Sequence, residues 1–415
     1  MSPSYILGVD IAKRNIRFHL ADAQGTRRAS GSAPTTAAGL TALLAHLTPL
    51  GAPATVLIVM ETTGLFHVPW AEALAARGYP VYAVNALLAH RIQPVSNALR
   101  ENKTDKLDAA GLTELARHYA PQLERFRYHS DPSRFGLQRL QALRQQVRTQ
   151  LTNLRKAYVS LLDVIFPELG ALLNKKLHHH RVRALLAQAP TPAALQRRDM
   201  AELRRAFGSQ TDAVLAAAGD SLAPATLASA SATALQGMLS ALTELETQLA
   251  RLDLQLQAHA VTVVSATQLH RLRSVPGIGE KTAMTLIAHL PARFWQPEYW
   301  QQQPSRRRAV RQLLAYMGAE PRVRESGQWR GQARMSKRGC EPLRTALFQA
   351  SFCGQKRDPE LATIYARQKA RGKKHKVCIS HLMRRQTERL IWVLQTNQEW
   401  PPASPPEVPA HASAA

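Results

Sequence analysis

Two short apolar runs near the start of the chain each end at a carboxylate. Residues 5–9 run directly into Asp10, and residues 56–60 run directly into Glu61. Apolar runs of this length predict strands that are covered on both faces, as in a sheet packed between helices. Because ligand sites of α/β folds lie at the ends of strands, both carboxylates are candidate functional residues.

The segments around these runs alternate between strand and helix patterns. We predict further strands at 15–21 and 80–84, and helices at 39–49 and 69–77. Strands that alternate with helices are typical of an α/β domain whose sheet is covered. The first third of the chain is therefore predicted to form such a domain.

A second acidic pair follows at the predicted start of a helix. Asp105 and Asp108 are three residues apart, a spacing that puts both on one helical face. Each acid alone fits a structural role in a first turn or a strand end. Four clustered carboxylates, however, would repel one another without a cation. Hard oxygen ligands suit Mg²⁺ or Mn²⁺, and paired divalent ions move phosphodiester groups, so the four acids predict a metal-dependent DNA-processing enzyme.

The chain is strongly basic, with 54 Lys and Arg against 29 Asp and Glu in 415 residues and a formal charge of +25. Residues 264–395 hold 26 of these cations and only eight of the acids. This imbalance predicts a polyanionic partner that binds mainly the C-terminal third. No apolar stretch approaches the roughly 20 residues that span a bilayer, and the three cysteines are widely spaced. We therefore expect no membrane insertion and a reduced, cytoplasmic compartment.

Two heptad patterns occupy the middle of the chain. Leu140, Val147 and Leu154 recur every seven residues, and leucines follow a second seam over residues 235–256. Such spacing predicts long helices with one apolar face. Two antiparallel helices of one chain, an intermolecular coiled coil and an ordinary helical-bundle core all fit this pattern.

A Pro-Gly turn over residues 276–279 separates two predicted helices. Gly277 and Gly279 permit a tight bend, so backbone N–H groups at the start of the next helix can face a phosphate, with Lys281 close by. The same turn could join two helices without any ligand. It is therefore a candidate nucleic-acid contact with a purely structural alternative.

The densest basic segment, residues 321–339, carries two serines, Ser326 and Ser336. A serine hydroxyl becomes a nucleophile only when a base or a metal removes its proton, and arginines can hold the oxygens of the phosphate under attack. Taken alone, either serine is an ordinary polar loop residue. The candidate phosphate-contacting cations in and after this segment are Arg322, Arg324, Arg330, Arg334, Lys337, Arg338, Arg344, Lys373 and Lys374.

Five short motifs occur in one order between residues 5 and about 395. They are Gly-Val-Asp-Ile-Ala-Lys at 8–13, Met-Glu-Thr-Thr-Gly at 60–64, Asn-Lys-Thr-Asp-Lys-Leu-Asp-Ala at 102–109, Val-Pro-Gly-Ile-Gly at 275–279, and Ser326-Gly327 followed by Ser336-Lys337-Arg338-Gly339. In this order they resemble the insertion-sequence transposases that have an RuvC-like domain and a serine-bearing domain. Members of that family act as bridge-RNA-guided recombinases, and the Piv invertase is a relative.

This resemblance implies an RNase H-like fold for the α/β domain and Mg²⁺ or Mn²⁺ bound by Asp10, Glu61, Asp105 and Asp108. It also implies that a serine attacks DNA and forms a covalent phosphoserine link. Ser326, directly before a glycine, matches this nucleophile better than Ser336 does. Donor DNA, target DNA and a bridge RNA are the implied partners. A site shared between protomers implies a homodimer or tetramer, with the heptad seams as assembly elements.

We therefore predict an RuvC-like domain over 1–128, a helical coiled-coil spacer over 129–265, a mostly α transposase domain over 266–397 and a disordered tail over 398–415. The predicted function is that of an insertion-sequence transposase. An RuvC-like structure-specific nuclease that uses water, or an invertase without an RNA guide, would keep the same carboxylates. A non-catalytic nucleic-acid-binding protein is a further alternative, and the layout of the acids argues against it.

Overall fold

The computed structural model describes residues 3–62, 64–85, 105–322, 325–326, 329–330 and 334–400. The chain divides into two compact units, Met1–Asp131 and Pro132–Ala415. The predicted spacer and the predicted transposase domain both fall in the second unit, and their separation stays a prediction. Among the described helices, none combines the length and the apolar composition needed to cross a membrane.

The first unit is a mixed five-stranded sheet with helices on its faces. The strand order is β3-β2-β1-β4-β5, in which β1, β2 and β3 are antiparallel and β1, β4 and β5 are parallel. The mixed α/β layout predicted from the sequence is therefore confirmed. The elements are β1 (Tyr5–Ile11), β2 (Asn15–Asp22), β3 (Arg27–Pro34), α1 (Ala37–Leu47), β4 (Val56–Thr62), α2 (His67–Ala75), β5 (Val81–Asn85) and α3 (Asp105–Leu123).

Strand β3 was not predicted from the sequence. Its residues, Arg-Arg-Ala-Ser-Gly-Ser-Ala-Pro, are mostly exposed and lack the apolar run of a buried strand. β3 lies at the edge of the sheet, where its pairing with β2 supplies the order that the composition does not. A polar edge of this kind also discourages pairing with another chain.

Each face of the sheet has its own apolar core. On one face Leu7 packs with Leu43 of α1 and Leu74 of α2. On the other face Val59 packs with Leu112 of α3. Side chains alternate between faces along a strand, so this division decides which strand residues lie beneath α3.

The second unit is mostly helical, as predicted. Helices α4 and α10 are its longest elements and pack against each other. They run antiparallel, as two ion pairs show: Arg144 pairs with Asp253, and the later Arg155 pairs with the earlier Glu246. The elements are α4 (Pro132–Ile165), α5 (Pro167–Leu173), α6 (His180–Gln188), α7 (Pro192–Gln196), α8 (Met200–Phe207), α9 (Thr211–Gly219), α10 (Ala225–Val263), α11 (Ala266–Ser274), α12 (Glu280–His289), α13 (Pro297–Gln301), α14 (Arg306–Met317), β6 (Pro321–Arg322), β7 (Glu325–Ser326), β8 (Trp329–Arg330), β9 (Arg334–Met335), α15 (Glu341–Gly354), α16 (Pro359–Ala370) and α17 (His375–Thr396).

The heptad leucines face the interior of this unit. Leu151 of α4 and Leu235 and Leu242 of α10 are buried in one core with the short helices α5 to α9. Within one chain, α4 and α10 pair as antiparallel helices and also contribute to an ordinary helical core with α5 to α9. A coiled-coil role in assembly stays a prediction.

The end of the described chain packs against the helices before it. Trp400, which the sequence assigned to a disordered tail, lies edge-on to Trp392 with ring centroids 5.4 Å apart. Its backbone N–H donates to Ser274 Oγ at 2.6 Å. The rest of the predicted tail, residues 401–415, lies outside the described residues.

Candidate functional site

Asp10 and Glu61 lie side by side on the central strands of the sheet. β1 and β4 are parallel, and their register pairs Val9 with Met60, so the next residues along both strands are the two acids. Adjacent strands are about 4.8 Å apart, and residues in register point to the same face. Asp10 shares the face of Gly8, and Glu61 shares the face of Val59, which is the face that α3 covers. Both acids are half-buried.

Helix α3 touches this face at Gly8. A Cβ built on Gly8 would lie 2.2 Å from the carbonyl oxygen of Ala109 and 2.5 Å from Thr113 Oγ1. Only glycine permits so close an approach of helix and strand. The glycine two residues before Asp10 therefore fixes the height of α3 above the sheet.

The helix runs antiparallel to β1. Thr113 lies over Gly8, whereas Arg117, one turn further, lies against Gly25, just beyond the end of β2 that pairs with the start of β1. Going back from Ala109 to Asp105 covers about 6 Å of helix axis. Going from Gly8 to Asp10 covers about 6.6 Å in the same direction.

The first turn of α3 thus begins at the edge of the sheet where Asp10 and Glu61 lie. The structure describes the backbone, but not the side chains, of Asp105 and Asp108. The backbone of α3 therefore starts at this edge, and a site formed by all four predicted ligands stays a prediction. The preceding motif residues 102–104 lie outside the described residues.

A buried hydroxyl fixes α3 on β2. Thr113 Oγ1 lies 3.0 Å from His19 O and 3.1 Å from Ala109 O, and 3.2 Å from His19 Nδ1. One hydroxyl proton serves one carbonyl, and the oxygen then accepts from an Nδ1–H tautomer of His19. Burial and then the charge of Arg27 lower the pKa of His19, which keeps the ring neutral.

Asp10 and Glu61, half-buried on adjacent strands, are the kind of oxygen donors that a hard divalent cation prefers. Among the side chains that the structure describes, no group of three or more His, Cys, Asp or Glu forms such a site. The side chains of Asp105 and Asp108 are not among those described. Arg17 is directly opposite Asp10 on β2 and shares its face, so a cationic side chain also borders this edge.

In the second unit, α15 and α17 pack against the Pro-Gly turn between α11 and α12. Gly277 has a φ of 93°, and a Cβ there would lie 2.1 Å from Ala350 O of α15. Gln386 of α17 is fully buried, and its Nε2 donates to Pro276 O at 2.6 Å. The cap residue of α12 is Gly279, which has no side chain to accept from the N–H groups of the first turn. Among the described residues, these N–H groups have no side-chain cap.

The serine segment forms two nested antiparallel pairs. β6 pairs with β9, and inside them Ser326 of β7 pairs with Trp329 of β8. The structure describes the backbone of Ser326, and Gly327 lies outside the described residues. Ser336 follows β9, and its Oγ accepts from the N–H of Arg338 at 3.4 Å.

Two of the predicted phosphate contacts, Arg344 and Lys373, have a structural partner other than a carboxylate. Arg344 Nη1 donates to Met317 O at 3.3 Å, at the C-terminal end of α14. Lys373 Nζ lies 2.8 Å from His381 Nε2. Neither role excludes a phosphate contact, but each gives a reason for the residue that needs no ligand.

The remaining predicted cations differ in what the structure says of them. Arg324 lies outside the described residues, and Arg322 and Arg330 are described as backbone only. Lys281 is exposed, with its Nζ 3.7 Å from Asp253. Four further predicted phosphate contacts are exposed: Arg334, Lys337, Arg338 and Lys374.

Sequence reasoning missed Arg17 and Thr113 at the acidic edge of the first unit and Gln386 at the Pro-Gly turn of the second unit. The signal for Arg17 was present, because a tight turn between β1 and β2 puts it opposite Asp10. Thr113 and Gln386 carry no motif, and their roles depend on contacts between segments far apart in the sequence. They could be found only from the fold.

Sequence profiles of known families match two segments of the chain. A profile of the DEDD IS110 type, described as a transposase, matches residues 7–167, which contain the four acids. A second, described as "Transposase IS116/IS110/IS902 family", matches residues 269–366, which contain the Pro-Gly turn and both serines. A protein of Streptomyces coelicolor described as "Insertion element IS110 uncharacterized 43.6 kDa protein" is 27% identical over 307 residues, which cover 71% of each chain.

These matches define the class of the protein, a DNA transposase or recombinase. Both matched segments are transposase domains, and domains of the DEDD type typically use divalent metals. The chain is an insertion-sequence transposase of the IS110/IS116/IS902 family.

Proposed function

We propose that this transposase cuts and rejoins DNA with divalent metal ions held by Asp10, Glu61, Asp105 and Asp108. The observation that carries the proposal is the register of β1 and β4, which sets two acids side by side beneath the helix that begins with the other two. The strand order β3-β2-β1-β4-β5, antiparallel on one side and parallel on the other, supports an RNase H-like fold.

The bound ions, Mg²⁺ or Mn²⁺, would polarise the scissile phosphate and stabilise the leaving oxygen. The protein's own contribution is to hold the carboxylates on rigid elements. Gly8 sets the distance of α3 from the sheet, and Thr113 sets its position along β2. This geometry supports a metal site whose four ligands come from two strands and one helix turn.

The nucleophile in this proposal is Ser326. Its Oγ forms a bond to phosphorus as the bond to one strand oxygen breaks, which leaves a phosphoserine link and a free strand hydroxyl that takes up the proton lost by the serine. Two observations favour Ser326 over Ser336: Ser326 pairs with Trp329 within the most basic segment, and the Ser336 hydroxyl already accepts from the Arg338 N–H. A serine nucleophile distinguishes this reaction from hydrolysis by an RuvC-like nuclease.

The proposed partners are donor and target DNA and a bridge RNA, bound by a homodimer or tetramer. The excess of Lys and Arg after residue 264 supports a polyanionic partner. The family resemblance alone supports the RNA guide and the shared site. RNA sequencing of the nucleic acid that copurifies with the protein tests the guide.

The metal site is tested with Asp10→Asn and Glu61→Gln. Each should lower Mg²⁺-dependent strand transfer more than about 100-fold, because even residues behind a metal ligand cost about 10- to 100-fold. Asp212→Asn, an exposed acid of α9, is the matched control and should retain activity. Strand transfer by Asp10→Asn at the wild-type rate would remove the proposal.

The nucleophile is tested with Ser326→Ala and Ser336→Ala. Labelled DNA should stay attached to denatured wild type and Ser336→Ala, and attachment should be lost in Ser326→Ala. If Ser326→Ala still cleaves and no variant forms an adduct, water is the nucleophile and the nuclease alternative holds. If only Ser336→Ala loses the adduct, Ser336 is the nucleophile instead.

A further inference from the structure

A groove of about 720 Å³ opens within the second unit. One wall is the first half of α4 with the end of α10, and the other wall is formed by α12 and the first half of α15. The groove therefore lies between the predicted spacer and the predicted transposase domain. Residues 168–268 match neither family profile, so part of one wall comes from outside both matched segments.

The α4 wall is polar along one stripe. Gln138, Gln141, Gln145 and Arg148 recur at helical spacing and line the groove. Among the described lining residues there is no Phe, Tyr or Trp. Because proteins that hold single strands by their bases use aromatic stacking, this lining suits a sugar-phosphate backbone better than unpaired bases.

The cations of the groove fall into two sets. Arg144 and Lys281 flank Asp253, which pairs with both. Burial alone would raise the pKa of Asp253, but the hydrogen bond and charge of Arg144 outweigh it and hold that pKa below its usual value. Among the described residues, Arg139 and Arg148 have no carboxylate partner, and both are exposed.

The opposite wall also favours an anion at one point. The uncapped first turn of α12 faces the groove through Lys281 and Thr282. Glu280 and Glu341 also border the groove, and Gln257 donates to Glu280. The acids of the groove are Glu280 on α12, Glu341 on α15 and Asp253 on α10. The positive charge without a carboxylate partner is therefore concentrated on α4.

The groove is next to the serine segment. Its α15 wall begins at Glu341, directly after the Ser336–Gly339 motif. The Ser336 N–H donates to Glu320 O, and the N–H of Cys340, the cap of α15, donates to Tyr316 O, so the motif and the start of α15 are held against the same helix end. The start of α15 therefore links the Ser336–Gly339 motif to one wall of the groove.

We propose that this groove holds one sugar-phosphate strand of duplex DNA, with Arg139 and Arg148 of α4 contacting its phosphates opposite the first turn of α12. The inference rests on the proposed function only in taking DNA as the substrate. It gives α4 a substrate-binding role beside its packing role. Phosphate contacts of this kind position DNA without reading its sequence.

The test uses the full-length protein and duplex DNA at several salt concentrations. The double variant Arg139→Gln/Arg148→Gln should bind on the order of 50-fold more weakly at about 0.1 M salt, and the slope of log affinity against log salt should fall by about 1.8, because each phosphate contact contributes about 0.9. Both residues are exposed on a helix, so folding should be retained, as thermal unfolding would show.

The matched control is Lys156→Gln/Arg251→Gln, which removes the same charge from exposed positions of α4 and α10 outside the groove. An equal loss in both double variants, or an unchanged slope, would overturn the proposal. A loss confined to RNA duplex would overturn the assignment to DNA. Asp10→Asn should bind DNA normally without strand transfer, so failure of the metal site is distinguishable from failure of the groove.

Discussion

The contacts that position the polar segments of the two units are built from different groups. In the sheet unit, α3 rests on β1 through a glycine and on β2 through one hydroxyl, with no ion pair among the described contacts at that point. In the helical unit, long buried polar side chains hold loops and helix ends. Arg134 caps the carbonyl of Leu290 at 2.6 Å, Gln386 holds Pro276, and Arg389 holds the start of α16.

This difference follows from what each contact positions. Carboxylates that share a metal need a fixed spacing, which a steric fit between rigid elements provides. The Pro-Gly turn and the end of α12 expose backbone carbonyls, which Gln386 and Arg134 satisfy. At the start of α16, Arg389 instead pairs with the carboxylate of Asp358. The sheet contact should therefore respond to side-chain size, and the helical contacts to loss of charge and to pH.

The largest effect is expected at Arg389, whose side chain is 2% exposed and donates to both oxygens of Asp358 at 2.9 and 3.0 Å and to Glu360 at 2.6 Å. Arg389→Met leaves Asp358 without its cation and should lower the free energy of unfolding by about 3–5 kcal/mol, measured by chemical denaturation. Arg384→Met on the same helix, 53% exposed and paired with Glu388, should cost at most about 1 kcal/mol.

Acid should reduce the difference in stability between wild type and Arg389→Met. Burial alone raises the pKa of Asp358, but bonds from Arg389 and the Leu361 N–H outweigh it and lower that pKa from 3.8. A lowered carboxyl pKa stabilises the fold above the unfolded pKa and loses that effect as pH falls through the folded pKa. The gap should therefore be constant above about pH 4 and shrink below it. A gap that is unchanged at pH 2.5 would contradict this account.

The next largest effect is expected at Gly8. Gly8→Ala puts a methyl group 2.2 Å from Ala109 O, so α3 must move, at a cost of about 1–3 kcal/mol or more. Strand transfer should fall with it, because α3 carries Asp105 and Asp108. Gly237→Ala is the matched control, since Gly237 is exposed on α10 with no atom within 4 Å of an added Cβ, and it should stabilise by about 0.5–1 kcal/mol. Equal signs for the two variants would contradict the steric account.

The sequence predicted what depends on local pattern. The apolar runs before Asp10 and Glu61 fixed two strands, and the heptads fixed the buried faces of α4 and α10, because both patterns report burial directly. β3 was missed because its polar residues are ordered by pairing with β2 rather than by burial. Heptad spacing alone could not decide whether the partner helix belonged to the same chain.

Of the residues discussed for the candidate sites, the acids were the ones that a local sequence pattern could predict. The acids stand at strand ends and in a helix start, positions that a pattern reveals. Thr113 and Gln386 act through contacts with residues distant in the sequence, and Arg139 and Arg148 look like the solvated face of a heptad helix. Their place beside a groove depends on how α4 packs against α12 and α15, which no local pattern encodes.

At neutral pH the smallest effect on stability is expected from His289, at the end of α12, because its contribution develops only in acid. Burial, then the charges of Arg139 and Arg134, lower the pKa of His289 to about 4. Between that value and the unfolded pKa of 6.5 the unfolded chain binds a proton that the folded protein does not, so stability should rise with pH across this window. The slope from this one group should be on the order of 1 kcal/mol per pH unit.

His289→Gln should remove this part of the slope, measured as the free energy of unfolding between pH 4 and 6.5. Arg139→Gln should instead raise the pKa of His289, because it removes one of the charges that disfavour the imidazolium, and it should narrow the window from its acid side. Because Arg139 also lines the proposed groove, bound DNA should act in the same direction as this substitution. The pKa of His289 is measured by histidine NMR titration in wild type and in Arg139→Gln. Equal values in the two proteins would show that the charge of Arg139 on α4 does not influence His289 on α12.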